Sequence, residues 1–436
     1  MSDAVPRPHA MRRAALVLSV ALIMAVTLLP LSALHTDQPP ELWCLACGGL
    51  WLSDAISNIG LFIPVGAALA ALGVPWLRIV AMTCVGSLGI EYLQSLGFPP
   101  LRSAALADVI ANTLGGLLGA LLYRSRQLVV TRSVRVACTL AISSALASIA
   151  TFTVTSAALG LRVVEPRFDD HPVRSPVVDS HSDVQYRRST FSYSPGFGWF
   201  GGFVDSASVG GYSATQVGSG PIVVEASAEP DSVVMSVAMH GRQDSTWFKP
   251  MLFVHRRGDT VPVVFVAERD RDAVLAVSRR ARDWGLAMPS LTVPDVFQGR
   301  TPNDARPLHI DAIATTSRLH LESRTATDTR QRTLRLVPTL GWAMIQTFIG
   351  IDSPFAMFAR VSWLALLVAP MGWWGAACGR RWWCVVSGVA VALALVLGEI
   401  LPRRYGVAPP AMSDWSIMTA LLLCAVAGSR RALRHR

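Results

Sequence analysis

The sequence predicts a mixed protein, in which a polytopic α-helical membrane bundle of about eight spans carries an antiparallel β domain outside the bilayer. Hydrophobic residues make up 52% of the 436 residues and charged residues only 16%, with a mean hydropathy of +0.42. This composition is too apolar for an ordinary soluble enzyme. The apolar residues gather into blocks near both ends, whereas residues 161–335 combine glycine, serine and charge with short alternating runs.

The net charge of +10 lies in the apolar flanks. Residues 161–335 hold 21 of the 39 basic and 20 of the 29 acidic residues, which leaves this segment at +1. The rest of the chain holds 18 basic and 9 acidic residues and carries +9. A nucleic-acid-binding protein needs a basic face on its soluble part, so nucleic acid is excluded as a partner.

The lengths of the apolar runs predict the membrane spans. A helix needs about 20 largely apolar residues to cross the hydrocarbon layer. The first run follows Arg12 and Arg13 and is longer than that of a signal peptide, so we expect an uncleaved anchor. Eight segments satisfy the length condition: 14–34, 55–73, 76–96, 108–123, 136–160, 355–377, 382–401 and 413–428.

The arginines predict the orientation, because short loops rich in Lys and Arg stay in the cytoplasm. With the N-terminus inside, the inner segments hold 14 arginines, and the short outer loops hold only Arg102, Arg403 and Arg404. We therefore expect a multi-pass protein of the inner (cytoplasmic) membrane, with both termini cytoplasmic and residues 161–335 extracytoplasmic. Residues 336–352 fit either a ninth span, which would reverse every later loop, or an interfacial segment, which we favour.

The chain accordingly divides into five parts. They are a four-helix membrane domain (1–135), a fifth transmembrane helix (136–160), the β domain (161–335), an interfacial connector (336–354) and a C-terminal three-helix membrane segment (355–436).

Polar residues are concentrated at one depth of the first membrane domain. Ionisable groups within a span are costly, so they indicate either pairing or function. The residues form pairs three or four positions apart, which places each pair on one helical face. They converge near the outer headgroup level and form the predicted ligand-binding set: Asp54, Asn58, Glu91, Gln94, Arg102, Asp108 and Asn112. The competing interpretation is that these groups are only solvated or paired and hold the bundle together.

These landmarks resemble the VanZ-like membrane family. The resemblance covers residues 15–125 and rests on the string from Asp54 to Gly66, on Glu91-Tyr-Leu-Gln94, on Arg102 and on the string from Asp108 to Gly115. The family takes its name from a protein associated with resistance to the glycopeptide teicoplanin. The resemblance implies a membrane fold more strongly than it implies a reaction.

A degenerate second copy is predicted over residues 355–430. Pro64 and Asp108 are 44 residues apart, as are Pro370 and Asp414. Its counterparts of the first site are Glu399, Arg403 (or Arg404) and Asp414, whereas Arg360, Leu364 and Met418 replace Asp54, Asn58 and Asn112. Coincidence would also explain the match, because Pro-x-Gly and acidic residues at helix ends are common.

Residues 161–335 predict an antiparallel, jelly-roll-like β-sandwich. Six runs beginning near residues 221, 232, 251, 261, 308 and 319 alternate like strands, whereas 272–284 fits either a strand pair or a short helix. The stretch from Ala267 to Val296 is similar to the laminin-G or concanavalin-like domains sometimes joined to VanZ-like segments. Many such domains bind glycans, although the fold alone does not establish binding.

The cysteines and histidines predict neither a metal site nor a cofactor. The seven cysteines and nine histidines show no metal-ligand spacing. Cys44 and Cys47 lie in the first outer loop, where a disulfide is chemically permitted. The same spacing also suits a reduced or redox-active pair.

The leading hypothesis is a cell-envelope protein that engages glycan or lipid-linked material at the outer membrane face, with the bilayer as its other partner. The resemblance adds an effect on glycopeptide antibiotic sensitivity. A second hypothesis is an enzyme acting on a lipid-linked glycan, with Glu91 and Asp108 as catalytic acid/base candidates and Arg102 holding a phosphate or carboxylate. A transporter and an envelope sensor are the third and fourth hypotheses. The sequence identifies no protein partner.

Overall fold

The structure is a computed structural model. It describes residues 8–28, 50–98, 104–126, 133–160, 177–178, 184–186, 189–193, 203–209, 212–216, 222–226, 233–240, 249–256, 262–301, 304–346 and 350–434. Arg102, Cys44 and Cys47 lie outside these residues, so the predictions for them stay predictions.

Among the described residues, eight helices are long and apolar enough to cross a membrane, as predicted. The helices in chain order are α1 (Pro8–Leu28), α2 (Trp51–Ala71), α3 (Trp76–Ser95), α4 (Leu106–Arg124), α5 (Val134–Ala158), α6 (Arg280–Asp283), α7 (Gly341–Met344), α8 (Ala356–Ala376), α9 (Trp382–Leu395), α10 (Leu401–Tyr405) and α11 (Met412–Arg434). The helices α6 and α7 are single turns, and α9 and α10 belong to one continuous span, Gly379–Tyr405. The span α1 begins six residues earlier than the predicted 14–34.

The described part of the β domain contains fourteen strands in two antiparallel sheets. The strands are β1 (Val177–Val178), β2 (Val184–Tyr186), β3 (Ser189–Tyr193), β4 (Phe203–Val209), β5 (Tyr212–Gln216), β6 (Ile222–Ala226), β7 (Val233–His240), β8 (Lys249–Arg256), β9 (Pro262–Arg269), β10 (Asp272–Val277), β11 (Leu291–Val293), β12 (Leu308–Ala314), β13 (Arg318–Arg324) and β14 (Thr329–Arg335). One sheet has the order β1-β6-β5-β4-β7-β12-β13-β14 and the other β11-β10-β9-β8-β3-β2. The prediction of an antiparallel β domain is confirmed.

Both sheets contribute to one hydrophobic core. Leu275 and Val277 of β10 pack there with Ile310 of β12 and Leu321 of β13. In β12 and β13 the buried and more exposed residues alternate, because a strand with one face on a core has a period of two. The shared core agrees with a sandwich, whereas the jelly-roll topology and the laminin-G resemblance stay predictions. The undecided stretch 272–284 contains both a strand, β10, and a single helical turn, α6.

Glycines allow α2 and α4 to pack with their backbones in contact. A Cβ atom added at Gly66 would overlap the carbonyl oxygen of Gly116, and one added at Gly119 would overlap that of Ile63. Gly115 would likewise overlap the carbonyl oxygen of Ile59. Since the contacts of Ile59 with Gly115 and of Ile63 with Gly119 advance in the same direction, α2 and α4 run parallel. Small residues permit such an approach in membranes.

The β domain is docked on the first turn of α2. The backbone N–H groups of Leu52 and Ser53 donate to the carbonyl oxygen of Gly285, each at 3.0 Å. The Ser53 hydroxyl donates to the Met344 carbonyl at 2.6 Å and accepts from the Ala287 N–H at 2.7 Å. The first N–H groups of a helix have no partner within the helix. The β domain therefore caps α2.

The β domain also holds the end of α5 and the loop before α11. The fully buried Arg279 donates to the carbonyl oxygens of Leu159, at 2.7 Å, and Thr315, at 2.9 Å. Burial lowers the pKa of Arg279 to about 9, so the guanidinium stays charged at neutral pH and faces the negative end of the α5 dipole. In the loop before α11, the Ala408 N–H donates to the carbonyl oxygen of Leu336, which directly follows β14, at 2.8 Å. We call the side of the membrane bundle that carries these contacts the domain face.

The connector 336–346 joins the β domain to the bundle. It consists of a 3₁₀ turn over Pro338–Leu340 followed by α7. Trp342 and Met344 are buried, and Met344 belongs to the core of the β domain. The described residues of the segment contain no helix long enough to span a membrane, and its interfacial position stays a prediction.

We expect Gly66→Ala to destabilise the bundle by about 1–3 kcal/mol, because its methyl group must push α2 away from α4. Thermal unfolding of the purified protein in detergent measures the loss. Gly60→Ala, on the same helix with no described atom within 4 Å of the added Cβ, is the matched control and should be neutral or stabilising. Equal unfolding temperatures for the two variants would contradict the packing argument.

We expect Ser53→Ala to loosen the β domain from α2 at a cost of about 1–3 kcal/mol, because the buried Ala287 N–H and Met344 carbonyl lose their partner. Hydrogen exchange of the Ala287 amide, measured by mass spectrometry, should accelerate. Ser19→Ala is the control, since the exposed Ser19 hydroxyl bonds to the carbonyl of Ala15 in its own helix. Unchanged exchange at Ala287 would show that the contact does not hold the domain.

Candidate functional site

A row of polar side chains follows one face of α3. Thr83, Ser87, Glu91 and Gln94 are spaced by four, four and three residues and therefore share one side of the helix. All four are buried, with exposed fractions of 3%, 0%, 2% and 5%. A Cβ atom added at Gly116 of α4 would lie 2.5 Å from Thr83 Cγ2, so this face of α3 packs on α4. The row thus lies between two membrane helices.

Asn112 faces this row from α4. Its side-chain amide donates to the Ser87 hydroxyl at 2.8 Å, and only 2% of the residue is exposed. The other amide atom, Oδ1, is buried and has no hydrogen-bond partner among the described residues. A buried polar atom without a partner costs about 1–3 kcal/mol, so it points to a missing donor at this position.

Glu91 lies one turn nearer the domain face. Its carboxylate accepts a hydrogen bond from the Ala105 N–H at 2.7 Å, immediately before α4 begins. Ala104 and Ala105 are themselves buried. Because the first turn of a helix is the positive end of its dipole, α4 favours a negative group at this position. Glu91 therefore fixes the end of α3 to the start of α4.

Asp54, Asn58 and Asp108 are half-buried at the starts of α2 and α4. Asn58 precedes Ile59, which touches Gly115, so the two aspartates lie one to two turns nearer the domain face on adjacent parallel helices. Asp54 directly follows Ser53, to which the β domain is bound. The predicted residues that the structure describes therefore occupy one end of the α2–α3–α4 group, beneath the docked β domain.

Sequence reasoning missed Ser87 and Thr83. They stand four and eight residues before Glu91, and this helical spacing was the available signal. The structure extends the polar row with them into the middle of α3. The polar row thus continues beyond the predicted set toward the middle of the helix.

The family comparison decides what this domain resembles. The family model VanZ/LLP1 matches residues 11–130. Residues 11–130 are therefore similar to this family, and we call them the VanZ-like domain. The match begins within α1 and ends beyond α4, so it contains all seven residues of the predicted set and leaves out the β domain and the C-terminal helices. Neither the curated proteins nor the solved structures provide a match to the chain.

The C-terminal helices repeat the packing of the VanZ-like domain at a constant separation of 306 positions. Gly66 of α2 contacts Gly116 of α4, and Gly372 of α8 contacts Leu422 of α11. A Cβ atom added at Gly372 would lie 2.7 Å from the Leu422 carbonyl oxygen. Gly372 and Leu422 each stand 306 positions after their counterparts. The helix starts agree as well, since Trp382 and Met412 stand 306 positions after Trp76 and Leu106. These equal spacings support the internal repeat.

The polar end of the second copy contains an ion pair between α8 and α11. Asp414 is 1% exposed, and the Arg360 guanidinium donates to its carboxylate from Nε at 2.8 Å and to the Ser413 hydroxyl at 2.8 Å. Arg360 and Asp414 occupy the positions of Asp54 and Asp108. Leu364 and Met418, at the positions of Asn58 and Asn112, are buried in an apolar cluster.

The remaining second-copy residues, Glu399 and Arg403, lie near the end of the span Gly379–Tyr405. Glu399 pairs with Arg403 one turn away, and both side chains are at least half exposed. A π-helical turn over Val396–Ile400 contains Glu399, and such a turn accommodates an extra residue within a helix. The second copy has two more residues between its proline and its glutamate than the first copy has, and the π-helical turn lies within this longer segment. Glu399 and Arg403 thus pair with each other, whereas Asp414 pairs with Arg360.

The acidic residues of the VanZ-like domain do not share a metal site with other described residues. Among the described residues, which include Asp54, Glu91 and Asp108, no three His, Cys, Asp or Glu side chains are placed to hold a metal ion.

We expect Arg360→Met to destabilise the protein by up to about 3 kcal/mol, because the buried Asp414 carboxylate loses its charged partner. Arg403→Met removes an exposed ion pair and should cost less than about 1 kcal/mol. Thermal unfolding of both variants in detergent compares the two losses. A larger loss for Arg403→Met would show that the Arg360–Asp414 pair does not hold α8 to α11.

Proposed function

We propose that this VanZ-like membrane protein engages a glycan or a lipid-linked headgroup at the domain face, through the polar end of α2, α3 and α4. The observation that carries the proposal is the buried Asn112 Oδ1, which has no donor among the described residues although it lies in a polar row with Ser87 and Glu91. A hydroxyl or amino group of a headgroup would supply that donor.

The burial of the polar residues also supports the proposal. Asp54 and Asp108 are only half-buried, whereas Glu91 and Asn112 below them are buried. A gradient from partly exposed to buried polar groups suits a ligand that enters from the headgroup level. The β domain, bound at Ser53, lies next to this entrance and would contribute to selecting the ligand.

We further propose that the domain face is extracytoplasmic and both termini are cytoplasmic, in the inner membrane. The basic ends of the helices support this orientation. Arg12 donates to the Ala71 carbonyl at 3.0 Å and Arg124 to the Val74 carbonyl at 3.5 Å. Both contacts lie at the turn between α2 and α3, opposite the domain face, where the positive-inside tendency places the cytoplasm. An effect on glycopeptide sensitivity would follow from binding envelope material at the domain face.

A sensor is the second candidate, and the docking contacts favour it. The β domain is hydrogen-bonded to the first bundle at Ser53, and the first residue of its connector, Leu336, is hydrogen-bonded to the loop before α11 at Ala408. A ligand that shifted the β domain would therefore act on both membrane halves. This candidate predicts that ligand binding to the β domain changes the exposure of α2 and α11 without requiring Asn112.

The proposal is tested by what co-purifies with the protein. Native mass spectrometry of the full chain, released from gently extracted membranes, should show a bound lipid or glycan in the wild type. We expect Asn112→Leu and Arg102→Gln to reduce its occupancy about tenfold or more, because hydrogen bonds to a buried or charged group are lost.

Glu399→Gln is the matched control, because Glu399 is half exposed in the second copy and should leave occupancy unchanged. Thermal unfolding separates lost binding from lost folding. Equal occupancy in the wild type, Asn112→Leu and Arg102→Gln would contradict the proposal.

A further inference from the structure

We propose that the C-terminal half of the bundle binds a phospholipid with two phosphates, of the diphosphatidylglycerol class, at the end opposite the domain face. This inference goes beyond the proposed function, because it concerns a second ligand at the other end of the helices. Six arginines of the described residues carry it, and we call the surface that they form the basic end: Arg135, Arg380, Arg381, Arg430, Arg431 and Arg434.

Three elements converge at the basic end. Leu159, just after α5, and Ala408, in the loop before α11, are both hydrogen-bonded at the domain face. The start of α5 and the last turns of α11 therefore lie at the opposite end of the bundle. The turn between α8 and α9 lies there too, since a Cβ atom added at Gly379 would be 3.6 Å from the Val134 side chain at the start of α5.

Trp382 joins the arginines of this turn to those of α11. Its ring lies under the Arg430 guanidinium, whose central carbon is 3.6 Å from the ring centroid. A cation–π contact of this kind holds the guanidinium in place. Arg434 follows Arg430 by four residues and therefore shares this face of α11, and Arg381 directly precedes Trp382. The two groups of arginines thus meet at one indole ring.

The helices of the basic end carry no acidic residue near these arginines. The sequence has no Asp or Glu in α5, between Asp352 and Glu399, or after Asp414. Glu399 and Asp414 stand at the other ends of their helices, and Asp414 precedes Arg431 by 17 positions, about 25 Å along α11. Five of the six arginines are exposed. Such a basic cluster between membrane helices attracts an anionic lipid headgroup.

The division of the arginines into two groups favours a lipid with two phosphates over a lipid with one. Arg380 and Arg381 belong to the turn before α9, whereas Arg430, Arg431 and Arg434 belong to the end of α11. Guanidinium groups bind phosphate oxygens through paired, charge-assisted hydrogen bonds. When one phosphate is bound by the first group, a phosphate linked to it reaches the second group at a high effective concentration.

The apolar surface next to the basic end suits the acyl chains of this lipid. Trp383 is 61% exposed, and its ring centroid lies 3.8 Å from that of Trp382. Tryptophan is enriched at the level of the lipid headgroups. Leu423, two turns before Arg430 on α11, is 58% exposed. Phosphates bound at the arginines would therefore leave the acyl chains along α9 and α11.

The full-length protein in detergent is titrated with lipid, and native mass spectrometry counts the lipid that it binds. One titration uses diphosphatidylglycerol, and the other uses phosphatidylglycerol with the same acyl chains at twice the concentration, so that the phosphate concentrations are equal. We expect the first diphosphatidylglycerol to bind about tenfold or more tightly, since only this lipid makes two sets of charge-assisted contacts.

The double variant Arg380→Gln/Arg381→Gln should abolish most of this preference, because it removes one of the two groups. Both side chains are exposed, so we expect the variant to fold. Arg430→Gln tests the other group. The matched control is Arg13→Gln/Arg78→Gln, which removes the same charge from exposed positions of α1 and α3 and should keep the preference. Thermal unfolding without added lipid compares the stability of the variants.

Equal affinity for the two lipids in the wild type would overturn the inference. A loss in Arg13→Gln/Arg78→Gln as large as the loss in Arg380→Gln/Arg381→Gln would also overturn it, because the positive charge of this side would then attract anionic lipid without a site. Asn112→Leu should keep the preference, since Asn112 lies on α4 in the other half. If only Asn112→Leu abolished the binding of diphosphatidylglycerol, this inference would fail and the proposed function would stand.

Discussion

The direct contact between the backbones of α2 and α4 is the constraint on which the site depends. In lipid there is little hydrophobic force between helices, so they associate through close packing and polar contacts. Gly66, Gly115 and Gly119 remove the side chains that would separate the two backbones. The same packing holds the starts of both helices, which carry Asp54 and Asp108, at one end of the bundle. The packing of the bundle therefore also determines where the predicted site residues lie.

The β domain is part of the same structure rather than a module on a tether. Ala158 and Leu159 at the end of α5, Met344 of α7 and Ala408 before α11 all belong to its hydrophobic core. Arg279 adds a buried cation that binds the last carbonyl groups of α5. These contacts reach both membrane halves. A movement of the β domain would therefore displace residues at the polar end of α2 and in the second copy.

The sequence predicted the features that follow from a single dominant force. All eight spans were found, because the bilayer fixes the length of an apolar helix. All six predicted strands exist, but short or polar strands such as Tyr212–Gln216 and Thr329–Arg335 were missed because they lack apolar alternation. Ser87 was missed for another reason: serines are ordinary in membrane helices, so its four-residue spacing from Glu91 is a weak signal until the tertiary contact with Asn112 is known. The unsatisfied Asn112 Oδ1 depends on packing that no local pattern encodes.

Comparison of the two copies separates the residues that pack in both from those for which we propose a binding role. In both copies the glycine of the Pro-x-Gly sequence, Gly66 or Gly372, packs against the backbone of the partner helix. The polar positions differ: Asp54 corresponds to Arg360, and Asn112 to Met418. In the second copy the changed residues satisfy one another or join an apolar cluster. The helices of the second copy pack with the Arg360–Asp414 ion pair but without counterparts of Asn58 and Asn112, whose positions are apolar there. Packing therefore does not by itself require the two asparagines, which supports the binding role proposed for Asn112.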